Sequence, residues 1–117
     1  MGIADGDSEK DALFLADKTT GLRIFSDQDG RFNLSIKDIG GEVLVVSQFT
    51  LLADAKKGRR PSFTGAAPPS VAEPLVDRYV EMVAASGVPV ATGRFGAHML
   101  VEIINDGPVT ILLDSRG

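Results

Sequence analysis

The sequence predicts an α+β fold, two helices against a mostly antiparallel sheet, in a single domain over residues 1–117. Three observations carry this. Two segments place apolar residues at helical spacing behind a capping pair. Several short runs rich in Val, Ile, Leu and Phe either alternate with polar residues or are continuously apolar, as strands are. Clusters of Gly, Asp and Pro separate these runs. A chain of this length builds one modest core.

The first helix is expected in "DSEKDALFLADKTTG". Ser8, with Asp11 three residues on, forms a capping-box-like start, Ala12, Leu15, Ala16 and Thr19 fall on one stripe, and Gly21 stops it. "LRIF" follows as a short strand, "SDQDG" as a turn, and "RFNLSI" as a strand alternating Phe32, Leu34 and Ile36. "EVLVVSQFTLLA" is nearly continuously apolar and β-branched, which predicts a central strand buried on both faces. "DAKKGRRPSFTGAAPP" has no periodicity, and a loop of that length in a compact domain is usually functional or disordered. Ser70 and Glu73 form a second capping box for a helix whose buried stripe is Leu75, Val76, Tyr79, Val80, Met82 and Val83, with Pro74 in its first turn and Gly87 at its end. "VPVATGRFGAHMLVEIIN", broken by Gly93 and Gly96, returns to strand, and "VTILLDS" is the last strand.

Composition narrows the function. With 44% hydrophobic and 24% charged residues the chain is an ordinary globular one, and no run approaches a membrane span. The opening "MGIADGDSEK" is acidic where a signal peptide is basic, and Gly6 stands where a myristoylation pattern requires Ser or Thr. No cysteine is present, so disulfides and thiolate metal sites are excluded, and the cytoplasm is the expected location. The net charge of −4 gives no global attraction to nucleic acid. Four of the twelve basic residues nevertheless cluster as Lys56, Lys57, Arg59 and Arg60, either a solvated loop or a set of phosphate contacts.

Reactive groups are few. The only histidine is His98, and strand alternation sets it with Leu100 and Glu102 on the face away from Met99, Val101 and Ile103, toward solvent or a subunit contact. No phosphate loop, dinucleotide fingerprint or calcium loop is present, and no metal or cofactor is expected. Ser47, Gln48, Phe49 and Thr50 end the most apolar strand just before the long basic loop. They are either a polar strand end or a site, with Ser47 and Phe49 on one face and Gln48 and Thr50 on the other. No base neighbours Ser47 or Thr50 in sequence to activate it. Gly107 and Pro108 interrupt a stretch that otherwise reads as strand; "NDG" before Pro108 is a strong hairpin-turn signal.

The ordered motifs "SQFTL", "KGRRPSF", "FGAHM" and "NDGPVT", within a match running from about Gly2 to Ser115, closely resemble the D-aminoacyl-tRNA deacylases, also called D-tyrosyl-tRNA deacylases. The resemblance implies a compact, β-rich, barrel-like homodimer with its active sites at the subunit interface. It implies hydrolysis of the ester joining a D-amino acid, or glycine, to the terminal adenosine of tRNA. Gly107 and Pro108 would form a Gly–cis-Pro element that enters the partner's site and excludes an L side chain by a rigid main-chain wall. Ser47, Gln48 and Thr50 would be the catalytic set, with main-chain N–H groups near Phe49 and Thr50 at the oxyanion. Two mechanisms stay open: Thr50 as nucleophile, or assistance by the tRNA's own 2′-hydroxyl. Phe49, Phe95, Gly96, Ala97 and Met99 would shape the substrate pocket. Lys56, Lys57, Arg59 and Arg60 would meet acceptor-stem phosphates.

Family members carry further strands ahead of the segment matching "MGIADGD". The expectation is therefore a start assigned at an internal Met1; a genuine truncation would instead leave an exposed edge beside "EVLVVSQF" and weaken dimerisation. The competing expectation is a non-catalytic or inactive tRNA-binding fragment.

Overall fold

The computed structural model describes all residues from Met1 to Gly117. In chain order it contains α1 (Glu9–Gly21), β1 (Phe25–Ser26), β2 (Phe32–Leu34), β3 (Val43–Val45), a 3₁₀ turn (Phe49–Leu52), α2 (Pro69–Ala85) and β4 (Val90–Thr92). The class is α+β with two helices, as expected, but no barrel closes. There are two two-stranded sheets, β1–β2 antiparallel and β3–β4 parallel.

The start of α1 forms as its sequence dictates. The Ser8 main-chain N–H donates to Asp11 Oδ2 at 2.8 Å, and the Asp11 N–H returns to the Ser8 carbonyl at 3.0 Å. That bond from Ser8 holds the Asp11 carboxyl below its ordinary value. Its support for the helix start is therefore complete at neutral pH and fades only as pH falls through the lowered value. In α2 the expected capping box does not form: the helix begins at Pro69, with Pro68 as cap. A proline at the first helical position carries the required φ and lacks only an N–H that would be unpaired anyway. Pro74 consequently lies a turn deeper than the first turn, inside the helix.

The core is the meeting of the two helices. Ala12, Ala16 and Thr20 of α1 are buried, as are Ala72, Val76, Tyr79 and Val83 of α2. The Thr20 hydroxyl satisfies itself on the Ala16 carbonyl at 3.0 Å, and the Thr19 and Tyr79 hydroxyls bond across the helices at 2.9 Å. Leu75, Val80 and Met82, expected on the same stripe, are partly buried against this cluster. Val45 joins it from β3, but Leu44 beside it is 61% exposed, so β3 is half-buried rather than covered on both faces.

Strand pairing departs most from expectation in the last third. Beyond β4 the chain forms no ladder, because a strand exists only where a neighbour accepts and donates its main-chain bonds, and none lies alongside. Leu100, Ile104 and Leu112 are 99%, 91% and 87% exposed. This arm is held at both ends. Met99 Sδ accepts from the Arg94 N–H at 3.4 Å, and Arg116 Nη2 reaches Asp7 Oδ1 and the Asp5 carbonyl, each at 2.8 Å. The radius of gyration, 15.4 Å, exceeds the roughly 13 Å of a compact chain of this length because of it.

Val83, fully buried between the helices, is the most sensitive core position. Val83→Ala is expected to lower stability by about 2 kcal/mol, read as a shift in the urea midpoint at constant m-value.

Candidate functional site

Where β3 ends, the chain stays extended for a few residues. The Gly93 N–H donates to the Val45 carbonyl at 3.0 Å and the Gln48 N–H to the Met1 carbonyl at 2.8 Å. It then winds into the 3₁₀ turn, with the Leu51 N–H on the Gln48 carbonyl and the Ala53 N–H on the Thr50 carbonyl. This turn breaks the expected alternation, since Phe49 and Thr50 no longer stand on a pleat. Phe49 is left 59% exposed.

Across from this segment lies a second bend, at Arg94 to Ala97. The Ala97 N–H closes on the Arg94 carbonyl at 3.2 Å, and Gly96 has φ +74°, the value the third residue of a type II turn requires. Between the two bends is a cleft of about 640 Å³, in the size range of small-molecule sites. Ser47, Gln48 and Phe49 form one side, and Phe95, Gly96, Ala97 and Met99 the other. Seven of the expected site residues thus converge from two segments some fifty residues apart in the chain. The base of the cleft comes from Phe63, from Ala66 and Ala67, and from Pro69 and Ala72 at the start of α2. Of these, Phe63 stands out: its ring meets Phe49 edge-on, centroids 5.0 Å apart at 65°. It follows directly on the "KGRRPS" stretch, and being the only aromatic of the long loop was the available signal.

His98 also lines the cleft, together with Met99 and Val101, which corrects its expected separation from those two residues. Alternation sorts side chains onto two faces only in a pleated strand, and none forms here. No Asp, Glu, Lys or Arg joins His98 in the lining.

Thr50 is not part of that lining. Its hydroxyl accepts a hydrogen bond from Gln48 Nε2. An amide is no proton acceptor of useful strength, so nothing in this pairing activates the threonine. No group of three His, Asp or Glu side chains is placed to hold a metal ion.

Gly107 and Pro108 lie outside this cleft, on the exposed arm, and the bond between them is cis. Asn105 braces the bend: its Oδ1 accepts from the Val109 N–H at 3.0 Å and its Nδ2 reaches Thr110 Oγ1 at 3.4 Å. Gly107 has φ +137°, and a Cβ there would stand 2.9 Å from Val109 Cγ2, so only glycine fits without strain.

The basic cluster caps a small hairpin. Asp54 and Ser62 exchange main-chain hydrogen bonds of 2.7 and 2.8 Å, and Asp54 Oδ1 accepts from the Lys56 N–H at 2.9 Å. Lys56, Lys57, Arg59 and Arg60 lie beyond this closure, all exposed and none in an ion pair.

A family profile described as D-Tyr-tRNA(Tyr) deacylase matches residues 1–114. The chain is 64% identical over 115 residues to the D-aminoacyl-tRNA deacylase of Roseiflexus sp. (strain RS-1), covering 98% of this chain and 74% of that one. It is 59% identical to the D-aminoacyl-tRNA deacylase of Thermotoga petrophila, covering 98% and 77%. Among solved structures, that of a c-Myc DNA unwinding element binding protein superposes with a TM-score of 0.87 at 38% identity, covering 95% and 76%. A probable eukaryotic D-amino acid tRNA deacylase shares the fold alone, at a TM-score of 0.66 and 18% identity over 84% and 72%. None of the helices is long and apolar enough to cross a membrane. With profile and relatives agreeing over nearly its whole length, the chain belongs to the D-Tyr-tRNA(Tyr) deacylase family.

Proposed function

We propose that this chain hydrolyses the ester between a D-amino acid, or glycine, and the terminal adenosine of tRNA. Water adds across the ester: the acyl–oxygen bond breaks, the water's OH stays on the acyl carbon as a carboxylic acid that then releases its proton to solvent, and the water's other proton passes to the ribose oxygen. Its membership of a deacylase family carries this reading. The cleft supports it with a neutral, largely apolar lining that suits an unpaired base and an aminoacyl group, Phe49 and Phe95 offering faces for stacking. The basic hairpin, whose base adjoins the cleft through Phe63, supports phosphate contacts by Lys56, Lys57, Arg59 and Arg60.

In this reading Ser47, Gln48 and the main-chain N–H groups of the 3₁₀ turn hold the ester and its developing oxyanion. The pairing of Thr50 with an amide favours assistance from the substrate's 2′-hydroxyl over attack by Thr50. The functional unit is a homodimer. The apolar surface of Leu100, Ile104 and Leu112 supports a second copy as its cover. Gly107 and Pro108, outside their own chain's cleft, then act in the partner's as the wall against an L side chain. Glycine passes because it has no side chain to meet that wall.

A second reading, a nucleic-acid-binding module without catalysis, is favoured by two observations. The 38%-identical structure is of a protein named for binding a DNA unwinding element, and the basic hairpin is free of ion pairs. Release of D-tyrosine from D-tyrosyl-tRNA with L-tyrosyl-tRNA spared is the expected result. Salt-sensitive binding to charged tRNA or DNA without release selects the second reading. Asn105→Ala, which frees the braced bend on an exposed arm, is expected to narrow the D-over-L ratio without lowering the melting temperature. Equal discrimination in that variant removes the chirality argument.

Thr50→Ala is expected to keep most of the single-turnover rate, and a loss of roughly a thousandfold would restore threonine as nucleophile. Lys56→Ala with Lys57→Ala is expected to weaken every charged tRNA alike and to reduce the slope of log affinity against log salt by about 1.5. An unchanged slope places the phosphates elsewhere.

A further inference from the structure

Phe63 belongs both to the cleft and to the root of the basic hairpin. On its N-terminal side the paired main chains of Asp54 and Ser62 close the hairpin one residue away. On its C-terminal side the chain is pinned to the body: the Phe63 carbonyl accepts from the Ala66 N–H at 3.0 Å, Ala66 bridges to Ala4, and the Ala67 N–H bonds the Ile3 carbonyl at 2.9 Å. The Phe63 ring itself is half-buried in the cleft lining, edge-on to Phe49. Phe49, by contrast, sits on a one-turn 3₁₀ segment with most of its surface open, and an exposed side chain on a short turn samples several rotamers unless a neighbour restrains it. Phe63 is an aromatic neighbour in contact with it.

Resting on the reading that the cleft takes the aminoacylated end of tRNA, we propose that Phe63 is a positioning residue. Its ring sets the tilt at which Phe49 receives the terminal base. Because it also forms the root of the basic hairpin, it keeps phosphate contacts and base stacking in one register. The hairpin then supplies binding strength, and Phe63 converts that binding into correct placement of the ester.

The test titrates wild type, Phe63→Ala, Phe63→Leu and Phe63→Tyr with 3′-(D-tyrosylamino)adenosine, whose amide resists cleavage, and with a full tRNA carrying the same amide. The Leu variant keeps apolar bulk should the Ala variant fail to fold. The Leu variant is expected to bind the adenosine analogue about tenfold more weakly, in the range of a lost aromatic–base arrangement, and the Tyr variant to restore most of the affinity. On the full amide-linked tRNA the salt slope of the Leu variant stays that of wild type, and with cleavable D-tyrosyl-tRNA its deacylation loss appears in kcat as well as in KM.

Leu binding the analogue as tightly as wild type, or Tyr failing to restore it, overturns the proposal. So does a wild type that does not bind the analogue. A wild type that binds it in a Phe63-dependent way yet leaves D-tyrosyl-tRNA uncleaved supports the positioning role while ending the hydrolase reading.

Discussion

The close meeting of α1 with α2 is the interaction on which the remaining architecture depends. Ala12 and Ala16 present almost no side chain, so α1 lies near the Val76, Tyr79 and Val83 stripe, and the Thr19–Tyr79 hydrogen bond sets the register of the pair. Everything that builds the cleft is attached to this pair. The start of α2 supplies Pro69 and Ala72 to the cleft base, and its end leads through buried Val88 into β4. β3 lies against the same core through Val45 and carries the Ser47 to Thr50 segment outward from its end. The site therefore stands on the most buried part of a chain that has few buried residues elsewhere.

Much of this was legible in the sequence, and the failures have identifiable causes. Both helices were readable, because periodicity over several turns outweighs uncertain ends. The Ser8–Asp11 start formed, whereas Ser70–Glu73 yielded to a proline pair just upstream that starts a helix as readily. The sequence predicts a mostly antiparallel sheet, yet β3 and β4 pair in parallel, and a signal for this is present. A strand, a long connection containing a helix, and a returning strand make a crossover unit, and crossovers join parallel strands. The residues after β4 have strand composition without strand structure. Composition reports what a segment suits, and a ladder also needs a partner, which no local pattern encodes.

The candidate site divides along the same line. Ser47, Gln48, Phe49, Phe95, Gly96, Ala97 and Met99 meet in one cleft. What sequence could not convey is how the main chain orients them. The 3₁₀ turn takes Thr50 out of the lining, and the absence of a pleat brings His98 into it. Phe63 carries no reactive group to mark it in the sequence, and its edge-to-face contact with Phe49 exists only after folding.

The arm from Leu100 to Leu112 sharpens the question of where selectivity resides. It is fastened at Met99 and again at Arg116, so it is not a loose tail, and its most apolar side chains face water. Between the fastenings it holds a bend that only glycine can occupy at 107, braced by Asn105. This bend is firmly specified on a segment none of whose residues is fully buried in its own chain. In the proposed two-fold dimer, one docking event resolves both facts, since the surface that needs covering and the bend that needs a substrate lie on the same arm. Selectivity would then be a property of the pair: each subunit contributes an otherwise neutral cleft, and its twin contributes the obstacle that gives the cleft a handedness.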